Sequence, residues 1–130
     1  MKAIGHVTWV IPGGRIPLRS TGPEPESTSR DEIFVLNTGD SEARLALTIF
    51  YADRDPIGPY TLTVGARRVR SVRCNDLIDP EAMPLGVDYG VLVESNVPVV
   101  VHFSRIDTSQ PALAMLGVTP IPADGSCAMM

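Results

Sequence analysis

The sequence predicts an all-β protein, a single-domain β-sandwich or jelly-roll of about eight short antiparallel strands, and three observations carry that expectation. Apolar and polar residues alternate with period two in one segment after another, and turn-forming residues recur between the segments. No stretch shows the periodicity of an amphipathic helix. The 130 residues include 11 Gly and 12 Pro, a density that suits short strands and turns rather than long helices. The length is that of one domain, able to bury about two-thirds of the surface its unfolded chain exposes.

Taken in order, Ala3, Gly5, Val7, Trp9 and Ile11 alternate with Ile4, His6, Thr8 and Val10, which predicts a first strand over Ala3–Ile11, stopped by Pro12-Gly13-Gly14. From Arg15 to Thr28 prolines and glycines replace apolar side chains, so the segment reads as one long loop of the kind that often carries function. Strands over Glu32–Asn37 and Glu42–Ala52 flank Thr38-Gly39-Asp40, a hairpin signal, with Leu45, Leu47, Ile49 and Tyr51 on one face. Tyr60, Leu62 and Val64 alternate with two threonines in a half-exposed strand. Arg67–Cys74 keeps Val69 and Val72 among four arginines, the pattern of a strand broken in parity by a bulge or bend. Asn75–Asp88, with Pro80, Pro84 and Gly86, holds at most a helical turn. Strands over Gly90–Glu94 and Val97–Ile106 meet at Ser95-Asn96, and Pro98 belongs near a strand start or at an edge. Ala112–Ile121 is the last expected strand. The domain is then 1–121, and 122–130 reads as a flexible tail.

Several chemistries are excluded or weakened by composition. With 11 basic and 15 acidic residues, a net charge of −4 argues against a polyanion binder driven by bulk charge. No apolar run reaches the ~18 residues of a membrane-spanning helix. Met1–His6 lacks the apolar core of a signal peptide, so a cytoplasmic location is expected. Cys74 and Cys127 form no Cys-x-x-Cys pair; two reduced thiols are expected, with one disulfide as the alternative. Lys2 is the only lysine, which removes P-loop and Schiff-base arrangements, and no Gly-x-Ser-x-Gly elbow occurs. His6 and His102 are too few for a three-histidine metal site, and His102 reads first as a packed or surface strand residue. Asp53-Arg54-Asp55 begins like a calcium loop but places Ile57 and Val64 where ligands belong. Glu24 and Glu26 bracket Pro25 as an exposed acidic loop or a carboxylate pair. No catalytic residue, metal site or cofactor is expected.

The arginines are the stronger signal. Arg67, Arg68, Arg70 and Arg73 fall within one short segment, and Arg105 ends a later strand. Guanidinium forks onto carboxylates, phosphates or sugar hydroxyls, so the cluster is a candidate binding site; a solvated strand face or ion pairs across a subunit interface are the alternatives. Interleaved aromatics, which a nucleic-acid surface would use, are missing from it. Trp9 is read either as a stacking platform for a ligand or as core.

Longer segments carry a family resemblance. Gly22-Pro23-Glu24-Pro25, Val35-Leu36-Asn37-Thr38-Gly39-Asp40, Thr48-Ile49-Phe50-Tyr51-Ala52-Asp53, Pro56-Ile57-Gly58-Pro59-Tyr60, Ala66-Arg67-Arg68, Val72-Arg73-Cys74-Asn75-Asp76-Leu77 and Ser95-Asn96-Val97-Pro98-Val99-Val100-Val101 resemble, in unbroken order, the Anabaena-type sensory rhodopsin transducer family. The resemblance runs from about residue 4 to residue 113. It implies a soluble cytoplasmic β-sandwich assembled as a homotetramer, whose founding member binds a seven-helix membrane photoreceptor and is a proposed DNA binder. For the wider family it implies small-molecule binding, with sugars or related metabolites as ligands. Carried over position by position, the implied ligand-binding residues are Trp9, Glu24, Asn37, Tyr51, Arg68, Arg73, Asn75, Asp76 and Arg105. Two departures stand out: Cys74 replaces a Phe, and the chain diverges from Gln110 onward.

The function expected is therefore a non-enzymatic, oligomeric domain that binds a sugar-like metabolite and signals. The alternative is a protein-interaction transducer that docks on a membrane photoreceptor, with DNA as a further partner and no small ligand. A sugar-directed enzyme using Glu24 or Asp76 as proton carrier is the weakest reading, because such catalysis needs a set carboxyl separation.

Overall fold

A computed structural model describes residues 2–18, 20, 29–109 and 114–123. Its strands are β1 (His6–Gly14), β2 (Arg30–Asn37), β3 (Ala43–Tyr51), β4 (Ile57–Val64), β5 (Arg68–Arg73), β6 (Tyr89–Asp107), β7 (Ala114–Val118) and β8 (Ile121–Pro122). A short 3-10 turn at Cys74–Asp76 is the one helical element among the described residues. Every strand pairing is antiparallel. The all-β sandwich expected from the alternation is what forms.

β6 organises both layers. Its first half lies between β3 and β1, giving the order β4-β3-β6-β1-β8, and its second half lies between β2 and β7, with β5 outside β2. One parity faces inward along both halves: Tyr89, Val91 and Val93, then Val99, Val101 and Phe103, are all buried. They meet Leu45, Leu47 and Ile49 of β3, Tyr60, Leu62 and Val64 of β4, and Ile33 and Val35 of β2 in one core. Each such large apolar side chain contributes about 1.5 to 3 kcal/mol on burial.

Several expectations require correction. The segments either side of Ser95-Asn96 are one strand of 19 residues, with Pro98 inside it. The reason lies in the register against β1. His6 pairs with Val99 while Thr8 pairs with Glu94, so the extra β6 residues form the bend at which the strand leaves one sheet for the other. Pro98 sits in that irregular stretch, where a missing N–H is tolerated. Gly5 enters beside the bend with φ +117°, and a Cβ there would lie 2.0 Å from the Val99 carbonyl oxygen.

β1 does not stop at Pro12-Gly13-Gly14 but continues through it to Gly14, with a second register shift between Ile11 and Gly14 absorbing the proline. Thr38-Gly39-Asp40 is not a hairpin. β2 pairs with β5 and β6, β3 pairs with β4 and β6, and the connection crosses between the sheets. β5 pairs with β2 in unbroken register from Arg68 to Arg73, so no bulge is present. Val69 is exposed because it lies on the outward face of this sheet, opposite the likewise exposed Leu36. At the C-terminal side β7 begins at Ala114, β8 pairs Ile121 and Pro122 with Val10 and Trp9, and the Ala123 N–H donates to the Thr8 carbonyl. The tail beyond 123, with Cys127, and most of the expected loop to Thr28 lie outside the described residues. No described helix is long and apolar enough to cross a membrane.

Candidate functional site

Strand parity places a carboxylate in the core. Asp31 shares the inward face of β2 with Ile33 and Val35 and is fully buried. Arg105 stands opposite it on β6, and its Nε donates to Asp31 Oδ1 at 2.8 Å. Oδ2 accepts from the Tyr89 hydroxyl at 2.6 Å, the Arg15 backbone N–H at 3.1 Å and Arg105 Nη2 at 3.4 Å. A buried carboxylate thus has its charge matched and its lone pairs filled, which is what allows it to stay buried.

The same contacts tune their neighbours. Burial pushes the Tyr89 hydroxyl above its ordinary range, with the adjacent Cys74 and Asp31 adding to it. Cys74 Sγ lies 3.6 Å from the Tyr89 hydroxyl, and burial pushes its thiol up to about 12. The Asp31 hydrogen bond raises Arg105 further above its usual value. Gly14 makes the geometry fit, since a Cβ there would stand 2.5 Å from the Tyr89 ring.

Above this network the sandwich end opens into a cleft of about 690 Å³. Arg105, Tyr89, Tyr51, Gly13 and Gly14 line it together with Phe50, and Arg15 and Asp88 add an exposed 2.8 Å ion pair. Arg105 keeps 27% of its side chain accessible. Tyr51 follows the inward parity of β3, lies opposite Tyr89, and carries the Arg54 guanidinium 4.9 Å over its ring. Its hydroxyl is buried with no hydrogen-bond partner, and burial raises its pKa, with nearby Tyr60 adding to the effect. The cleft therefore offers a fixed guanidinium and aromatic surface, and one of its lining tyrosines holds an unsatisfied buried hydroxyl, a set suited to a hydroxylated ligand. Asp88 on its lining and Asp31 beneath it are each engaged by an arginine, and no cluster of three or more metal-ligating side chains occurs among the described residues.

The nine expected site residues do not converge. Tyr51 and Arg105 share the end cleft, while Arg73 and Asp76 line a second cleft of about 520 Å³ beside β4 and β5. Trp9 is core: its Nε1 donates to the Val99 carbonyl at 3.0 Å and the His6 carbonyl at 3.1 Å, and it has no exposed face for stacking. Asn37 is fully buried and serves the Ser41, Val64 and Gly65 carbonyls through Nδ2 while Oδ1 accepts the Gly39 N–H, so its polar groups lock turns. Arg68 is exposed and donates to the Arg67 carbonyl. Asn75 Nδ2 donates to the Ser29 carbonyl, and its Oδ1 is buried without a partner. Glu24 lies outside the described residues.

Asp31, Tyr89, Gly14, Arg15 and Asp88 were not among the expected site residues. Asp31 carried a readable signal, a carboxylate in phase with Ile33 and Val35 on an apolar strand face, and Tyr89 was likewise in phase with Val91 and Val93.

Fold and site together define an all-β sandwich domain with an arginine-floored cleft at one end. The chain belongs to the Anabaena sensory rhodopsin transducer family, whose model matches residues 4–121. A solved Anabaena sensory rhodopsin transducer is 44% identical, covers 78% of this chain and 95% of its own, and superposes with a TM-score of 0.70. The structure of Thermotoga maritima 1070 is 26% identical and superposes with a TM-score of 0.81, covering 94% of this chain and 98% of its own. No curated protein sequence matches the chain.

Proposed function

We propose that this transducer-family domain is a non-enzymatic small-molecule binder whose end cleft takes a sugar or related polyhydroxylated metabolite, and that it signals as a cytoplasmic homo-oligomer, a tetramer by family resemblance. The observation that carries this reading is the part-exposed Arg105 guanidinium on the lining of the same cleft as Tyr51, whose buried hydroxyl has no partner. A polyhydroxylated ligand that meets Arg105 and draws the Tyr51 hydroxyl toward the cleft would satisfy both, and an unmade buried hydrogen bond is the kind of deficit that binding relieves.

A thermal-shift panel of neutral sugars, with light scattering for oligomeric state, tests it. A ligand at 100 times its Kd stabilises the native protein by about 2.7 kcal/mol, a readily visible shift. The shift should weaken in Tyr51→Phe and Arg105→Lys. A flat panel on the folded protein, or a shift indifferent to both substitutions, removes the proposed seat.

A second reading is a transducer that docks on a membrane photoreceptor without a small ligand. The outward face of the second sheet favours it, exposing Leu36 at 42% and Val69 at 64% on paired strands. Exposed apolar sheet surface of this kind seeks a partner, whether a receptor or another copy. Co-sedimentation with receptor-containing membranes separates this reading from a pure metabolite binder. DNA is the least favoured partner, given the net charge of −4.

A further inference from the structure

The flank of the sandwich between edge strands β4 and β5 carries a second polar cleft, of about 520 Å³, closed below by residues 76–79. Two arginines line it. Arg70 ties the two sheets together, its Nη1 donating to the Thr63 carbonyl at 2.8 Å. Arg73 makes no comparable contact: its Nε is sealed from solvent without an acceptor, and no described carboxylate pairs with its guanidinium. This is the reverse of Arg105, whose Nε is satisfied by Asp31.

The acids of the cleft are divided in the same way. Glu32 is held by Arg30 at 2.8 Å, whereas Asp76 and Asp79 make no ion pair among the described residues. The cleft therefore presents an unengaged guanidinium and two unengaged carboxylates. A guanidinium N–H withdrawn from water without an acceptor is unfavourable, and an oxyanion that draws the Arg73 guanidinium toward the cleft, accepting side-on from Nε and a terminal nitrogen, would resolve it.

We propose that this flank is a second small-molecule site, for a ligand with a carboxylate or phosphate head on Arg73. Donor groups on the body of that ligand, hydroxyl or ammonium, are received by Asp76 and Asp79. The acids also decide against a nucleic-acid strand, whose successive phosphates they would repel. The site is independent of the end cleft and shares no residue with it.

The test is a titration of the ¹⁵N-labelled full chain, following its arginine Nε–H resonances, assigned through bond, with gluconate, glucose 6-phosphate and glucose as probes. We expect gluconate or glucose 6-phosphate to shift the Arg73 Nε–H saturably and glucose to leave it in place. The tighter of the two anions identifies the head group. Arg73→Lys should weaken that anion at least tenfold, while Tyr51→Phe should leave its affinity unchanged. An Arg73 resonance unmoved by 10-millimolar-range concentrations of both anions, on the order expected of weak metabolite sites, overturns the proposal. So does an equal response to glucose, or loss of the response in Tyr51→Phe, which would place the anion in the end cleft.

Discussion

Asp31 and Arg105 stand directly opposite each other on β2 and β6, and their 2.8 Å ion pair joins a fully buried carboxylate to a guanidinium that reaches the cleft. The pair is a structural commitment, because removing Arg105 strands a fully buried carboxylate. Arg105→Ala leaves an uncompensated buried charge and should destabilise the fold by about 3 to 5 kcal/mol. Removing both side chains should cost less than the sum of the single losses, since the double variant has no stranded charge. Urea unfolding of the two single variants and the double measures this, and additive losses would refute the coupling.

Asn37 is a second position where one side chain holds several segments. Its amide reaches carbonyls at Ser41, Val64 and Gly65, tying the β2–β3 crossing to the end of β4. With several hydrogen bonds lost and buried carbonyls left without donors, Asn37→Ala should cost about 2 to 4 kcal/mol. Asn37→Asp should be worse than Ala at neutral pH, because it turns a carboxylate toward those carbonyls. Denaturation midpoints rank the two, and an Asp variant more stable than the Ala variant would contradict the assignment.

Most strands were legible because parity is a local property. Leu45, Leu47 and Ile49, or Tyr60, Leu62 and Val64, announce a buried face without reference to their partners, and they are buried. Pairing is not local, which is why Thr38-Gly39-Asp40 reads as a hairpin although β2 and β3 join different sheets. Ser95-Asn96 reads as a turn for a related reason: a bend that moves one strand between sheets uses the same residue types as a turn that ends it. The candidate site was half legible. Tyr51 and Arg105 were expected, but Asn37 and Trp9 were polar-capable residues spent on the fold. The phase of Asp31 on β2 is legible in the sequence, but its role is not, because only its distant partners, Arg105 and Tyr89, give it one.

The buried thiol sets an alkaline limit. Cys74 moves from an ordinary 9.0 to about 12 on folding, chiefly by desolvation. The native state thus holds a proton that the unfolded chain releases above pH 9.0. This contribution is complete below that value and is lost as pH rises toward 12, at about 1.4 kcal/mol per pH unit. Tyr51, Tyr60 and Tyr89, all raised, add losses of the same sign above the range where free tyrosines ionise. Urea unfolding between pH 7 and pH 11 should show the decline, and Cys74→Ala should flatten its first part. In a Cys127→Ser background, native Cys74 should also resist alkylation at pH 8 and react on unfolding; equal rates in both states would refute its burial.

Gly13 and Gly14 make a matched pair for testing what orders the cleft floor. Neither has the positive φ that would strain an alanine, so the two differ in surroundings alone. A Cβ at Gly13 meets nothing within 4 Å, whereas at Gly14 it would stand 2.5 Å from Tyr89 Cζ and 2.7 Å from its hydroxyl oxygen. Tyr89 cannot yield freely, because that hydroxyl donates to Asp31 at 2.6 Å. Gly14→Ala should therefore cost about 1 to 3 kcal/mol through overpacking and alter the near-ultraviolet signal of the tyrosines. Gly13→Ala should stay within about 0.5 kcal/mol of the parent. If the two alanines behave alike, the Tyr89 ring has room to move, and the hydroxyl and guanidinium floor of the end cleft is not held rigid by this contact.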